Sequence, residues 1–155
     1  MATNRDPERS PTVGYYSTAA GQISITPPLT WTDIKNSPYL PERVNRDGNW
    51  RELQLVTAGE VRDINKGQDG AHIATAFKPV DPNESRKRYD LESQLTELVT
   101  AYPGHTFTGA IILQGEDGDL WRYVVRDGAV VEQWPTIIWP DDAGMWYHAD
   151  PDYYE

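Results

Sequence analysis

The chain predicts an α+β fold on one antiparallel sheet: a ferredoxin-like split β-α-β plan, with two helices on one face and an added C-terminal β-hairpin. Three observations predict it. The stretch His105–Trp139, HTFTGAIILQGEDGDLWRYVVRDGAVVEQWPTIIW, alternates apolar and polar residues between explicit turns. The segment after Asp90 repeats leucine at helical spacing. Read end to end, the elements run strand, short helix, strand, strand, longer helix, strand, strand, strand. One sheet with both helices on one side leaves its other face partly wet.

The first ordered element is expected near Val13. In VGYYSTAAGQISITPP, Ile23 and Ile25 alternate with polar residues, a strand that ends at Pro27-Pro28, with a bend or bulge at Gly14 or Gly21. Thr30 is placed to cap a helix, with Asp33 three residues on completing a capping box. That helix is short, Trp31 to about Asn36, because Pro38 stops it. Residues 50–64 and 71–78 read as an antiparallel hairpin. Leu53, Leu55 and Thr57 share one face, Ile73, Thr75 and Phe77 another, and NKGQDG supplies the tip.

Arg86, Lys87 and Arg88 form the chain's basic cluster, expected to be solvated ahead of a helix. Asp90 is placed at the N-cap of that helix. Leu91, Leu95, Leu98, Val99 and Tyr102 fall on one stripe, Gln94 falls off it, and Pro103-Gly104 ends the helix. Beyond it, Phe107, Gly109, Ile111 and Leu113 share a face. So do Trp121, Tyr123 and Val125, opposite Leu120, Arg122, Val124 and Arg126. Asp127-Gly128 selects a two-residue hairpin turn, and Pro135 marks the last strand as an edge.

The domain reading follows: a polar arm over residues 1–12, a single α+β domain over 13–139, and an acidic aromatic tail over 140–155. With no cysteine, disulfides and thiolate metal sites are excluded, and a reducing, cytoplasmic setting is expected. Neither a signal-like apolar core at the N-terminus nor a membrane-length apolar run is present, so no membrane association is expected. The net charge of -10 disfavours direct contact with nucleic acid.

No catalytic constellation is visible. The chain lacks a nucleophile elbow, a P-loop and a dinucleotide fingerprint, and its three histidines are scattered. Glu116, Asp117 and Asp119 lie in a Gly-rich turn without the spacing of a calcium loop. The expectation is a protein that is not an enzyme and uses neither metal nor cofactor.

The charge is unevenly spread. After Arg126 there are acidic residues but no lysine or arginine. The tail combines Asp141, Asp142, Asp150, Asp152 and Glu155 with Trp139, Trp146, Tyr147, Tyr153 and Tyr154. Carboxylates interleaved with flat aromatic anchors suit a basic groove on another protein, including one shaped to hold nucleic acid. These ten residues are the expected partner-binding site, with Trp139 as the last anchor of the sheet.

The blocks GYYSTAAGQISITPPLTW, SPYLP, YPGHTFTGAIILQGEDGDLWRYVVRDGAVV and IIWPDD resemble a group of small, uncharacterised acidic proteins of actinobacteria and their phages. The likeness covers about residues 14–142, and T-P-P-L-x-W and P-G-H-T-F-x-G are its most specific parts. It implies a phage or actinobacterial setting and carries over no site residue. The functional expectation is a phage-encoded binding protein that inhibits or mimics at a basic surface of a host nucleic-acid-handling or defence protein. The alternative is a small-ligand module, for a nucleotide, using aromatics on the open sheet face.

Overall fold

The computed structural model describes residues 15–59 and 72–142. The strands are β1 (Tyr16–Leu29), β2 (Leu53–Ala58), β3 (Ile73–Pro79), β4 (Arg86–Lys87), β5 (Thr106–Gly115), β6 (Leu120–Arg126) and β7 (Ala129–Gln133). Two helices, α1 (Trp31–Ile34) and α2 (Leu91–Ala101), and a 3-10 turn, Pro140–Asp142, complete the elements. All seven strands join one antiparallel sheet in the order β2-β3-β1-β5-β6-β7, with β4 pairing β1 off this path.

This corrects the ferredoxin-like expectation. The molecule is mostly one seven-stranded antiparallel sheet, not a small sheet under a pair of helices. Pro38 and the turns after it cut α1 to a single turn of four residues, too short to form half of a helical layer. The C-terminal hairpin is no appendage either, since β6 pairs β5 and extends the same ladder. The order of elements agrees with the expectation except for β4, whose two residues are too few to show a period.

Alternation sorts each strand into a covered and a bare face. Across the centre, Ala19 pairs Leu113, which pairs Trp121, and Ile111 pairs Tyr123. All five are buried. On the other side Ile23 and Leu55 both pair Phe77. These side chains make one core with Leu91, Leu95, Leu98 and Val99 of α2. Each α2 leucine that leaves water contributes roughly 1.5–3 kcal/mol of transfer free energy. Tyr39 and Leu40, from the turns after α1, join the same core. The capping box holds α1 in place: Thr30 N–H donates to Asp33 Oδ2 at 3.0 Å, and Asp33 N–H to Thr30 Oγ1 at 3.4 Å. Asp90 precedes α2 without a side-chain cap, and Ser93 Oγ donates to its carbonyl instead.

Three further expectations change. β1 runs through Pro27-Pro28 to Leu29, because a register shift between Ser24 and Leu29 absorbs the two residues that cannot donate to the ladder. Gln94 is buried, not outward: its Oε1 accepts from the Glu52 N–H at 2.7 Å and ties α2 to the start of β2. The basic cluster is not a solvated row. Arg88 is buried and donates to the carbonyls of Ser17, Val80, Asp81 and Glu84 over 2.8–3.2 Å. Arg86 reaches Glu52 at 3.1 Å and Asp81 at 3.2 Å. One guanidinium thus fastens the loop after β3 to β1.

The turn at Asp127-Gly128 has both residues at positive φ, 53° and 76°, as a type I′ hairpin requires. It sets Arg126 opposite Ala129 and Tyr123 opposite Glu132, and makes β7 one edge of the sheet among the described strands. The hairpin between β2 and β3 is antiparallel as expected, and its tip lies outside the described residues.

Candidate functional site

The β6–β7 end of the sheet gathers aromatic rings and carboxylates. Alternation turns Trp121 and Tyr123 toward the covered face. Trp134, just past β7, stacks on Trp121 with ring centroids 5.5 Å apart and 19° between planes. Tyr15, just before β1, packs on the other side of Trp121 at 6.0 Å. Its ring lies against Gly115, where any Cβ would collide with it. The result is a Tyr15–Trp121–Trp134 ladder joining the first and last strands of the described chain.

Each carboxylate beside the ladder has an aromatic donor. Glu132 accepts from the Tyr123 hydroxyl at 3.3 Å and from Trp134 Nε1 at 3.2 Å. The Tyr15 hydroxyl donates to Asp117, with Asp119 at 3.5 Å. Asp117 also closes its own turn by accepting the Asp119 N–H at 3.3 Å. Burial raises the Tyr123 pKa, and the charges of Glu92 and Glu132 raise it further. Burial likewise raises Tyr15, and its hydrogen bond to Asp117 adds to the effect. Both phenols therefore stay protonated and act as donors, not as bases. Among the described residues no three His, Asp or Glu side chains are grouped to hold a metal ion.

Beyond Trp134 the chain leaves the sheet as an exposed arm. Ile137 is 82% exposed, Ile138 46% and Trp139 65%. The 3-10 turn Pro140–Asp142 follows, with Asp141 exposed. Of the expected partner-binding residues, Trp139, Asp141 and Asp142 therefore lie together on this arm. Trp146, Tyr147, Asp150, Asp152, Tyr153, Tyr154 and Glu155 lie outside the described residues. Trp139 is not the last anchor of the sheet. Pro135 ends the ladder before it, and Trp134 takes that place. The alternation that turns Trp121 inward is the signal that could have located the ladder. Nothing in the local pattern of residues 134–139 tells which Trp packs.

The bare sheet face differs from the one expected for a ligand module. Trp121, Tyr123, Phe77 and Phe107 are all buried in the core, which leaves Tyr16 as the aromatic strand residue on the open side among the described residues. Among the described residues the strands on that face offer a nucleotide base one ring, that of Tyr16.

A family model matches residues 13–148, most of the chain. The chain belongs to a family of unknown function (DUF6205). The DUF6205 match takes in the whole sheet and the arm, and runs past Asp142, where the resemblance in the sequence was expected to stop. No curated protein and no solved structure matches the chain. No helix among the described residues is long and apolar enough to cross a membrane.

Proposed function

We propose that this DUF6205 protein is a non-enzymatic binding module whose C-terminal arm engages a basic site on another protein. The observation that carries the reading is the exposure of Ile137, Ile138 and Trp139 immediately before Asp141 and Asp142. Large apolar side chains left in water beside carboxylates suit a surface that is partly apolar and cationic. The sheet holds the root of the arm through the Trp121–Trp134 stack, so the arm departs from a fixed point. In the phage or actinobacterial setting implied by the sequence resemblance, the partner is a host factor that handles nucleic acid, and the protein acts as its inhibitor by imitating a polyanion.

The test is capture of basic proteins from an actinobacterial lysate by the intact chain and by an Ile137→Ser, Trp139→Ser variant. A single dominant basic partner is expected. Its binding should weaken with added salt, and the variant should weaken it by roughly thirtyfold, the scale of a lost aromatic hot spot. Equal capture by both proteins at all salt concentrations would remove the arm from the function.

A further inference from the structure

We propose that the bare face of the sheet is a second binding surface, of opposite charge to the rest of the molecule, and that it takes an extended acidic polypeptide. The chain carries 24 acidic and 14 basic residues, yet no acidic side chain lies on this face of any strand. Glu132, the acidic strand residue, pairs Tyr123 and faces the covered side. Among the described strand residues the charged ones on the bare side are Lys78, Lys87, Arg122 and Arg126.

The register places each of them. Lys78 is opposite Gln54, one residue on from the core pair Leu55 and Phe77. Lys87 is opposite Tyr16, with its ammonium 5.6 Å from the Tyr16 ring centre and 5.9 Å from that of Tyr89. Arg122 is opposite Ile112 and Gln133, and its Nε–H donates to Gln133 Oε1 at 2.8 Å. Among the described residues Arg86 pairs with Glu52 and Asp81, and none of these four cations shares in either pair. Between the two cationic flanks lie the outward residues of β1 and β5, all uncharged: the hydrogen-bonding Thr18, Gln22, Thr108 and Gln114, and the exposed Ile112 among them.

Geometry selects the class of ligand. β3 and β6 stand three places apart in the sheet, so the flanks are separated by roughly 14 Å at about 4.8 Å per strand. A single small anion meets one flank only. An extended peptide advances about 3.3 Å per residue, so carboxylates about four residues apart reach both flanks while its backbone crosses the Thr and Gln rows. A nucleic acid strand needs stacking platforms, and Tyr16 is the aromatic strand residue on this face among the described residues. The net charge of -10 does not cancel the attraction. At physiological salt exposed charges more than about 8 Å apart are largely screened, so a chain lying on the sheet is governed by the cations beneath it.

The experiment is fluorescence anisotropy of a labelled oligoglutamate peptide of about 12 residues, long enough to cross the sheet, against the full-length protein. Binding is expected, and a Lys78→Glu, Arg122→Glu variant should weaken it tenfold or more. A Lys78→Gln, Arg122→Gln variant should fall between the two. Thermal melts verify that both variants fold, since all the altered side chains are outside the core. Ile137→Ser, Trp139→Ser should leave peptide binding within twofold, which separates this face from the arm. Absence of peptide binding overturns the proposal, as does a change below twofold in the charge-reversed variant. Tighter binding of a single-stranded oligothymidine would make the face a nucleic-acid surface and overturn it too. So would a tenfold gain on removing residues 143–155, which would assign the face to the chain's own acidic end.

Discussion

Glu52 is a carboxylate held where water scarcely reaches. Arg86 meets its Oε1 at 3.1 Å, and Oε2 is buried without a hydrogen bond among the described residues. Burial pushes its carboxyl above the ordinary glutamate value of 4.5, against the pull of Arg86 and Arg88. The folded protein therefore holds this proton more tightly than the unfolded chain. Its contribution to stability is complete below pH 4.5 and is lost as pH rises through the raised folded value. Glu52→Gln keeps an oxygen for Arg86 and cannot titrate. The expected outcome in urea denaturation is that the variant gains on the wild type as pH rises above 4.5. A stability difference that stays flat over that range contradicts the assignment.

At the scale of elements, the central pair β1 and β5 depends on two glycines. Gly21 and Gly109 have φ of 87° and 110° within strands. A Cβ at Gly21 would stand 2.4 Å from the Ala110 carbonyl oxygen, and one at Gly109 2.5 Å from that of Gln22. Both obstacles are backbone, which cannot swing aside. Gly109→Ala should lower unfolding free energy by about 1–3 kcal/mol, the scale of one strained backbone position, measurable by chemical denaturation. A loss of only a few tenths would mean that the strands part easily.

The elements also show what the sequence made legible. The α2 stripe, the Thr30–Asp33 box, the Asp127-Gly128 turn and the inward Trp121 each rest on interactions within a few residues, so local pattern reveals them. The passage of β1 through two prolines, the two-residue β4 and the buried Gln94 and Arg88 rest on contacts 42 to 71 residues apart or on ladder registers. Such partners leave no period to read. The same holds for the site: the exposed end of the arm was visible as composition, while the ladder that roots it joins Tyr15 to Trp121 across the whole fold.

At the scale of the whole molecule, β1 is hydrogen-bonded on both sides, to β3 and β5, and β5 to β1 and β6. β7 and β2 are the sheet's edges among the described strands. Backbone amides in the centre of β1 and β5 should exchange with deuterium only when the molecule unfolds globally, and those of β7 earlier, through local opening. Hydrogen-exchange mass spectrometry reads this order directly. Equal protection of β7 and β5 would point to an added strand on the β7 edge, a second copy or a partner.

The sorting of charge between the two sides of the sheet has a mechanical consequence. Asp33, Glu92 and Glu97 lie on the helices, while the opposite side carries Lys78, Lys87, Arg122 and Arg126. A slab charged in this way is a permanent dipole directed through its thickness, and a charged support aligns it. On a cationic resin or sensor chip the molecule settles with its helices downward, offering the sheet to the liquid. On an anionic one it turns over.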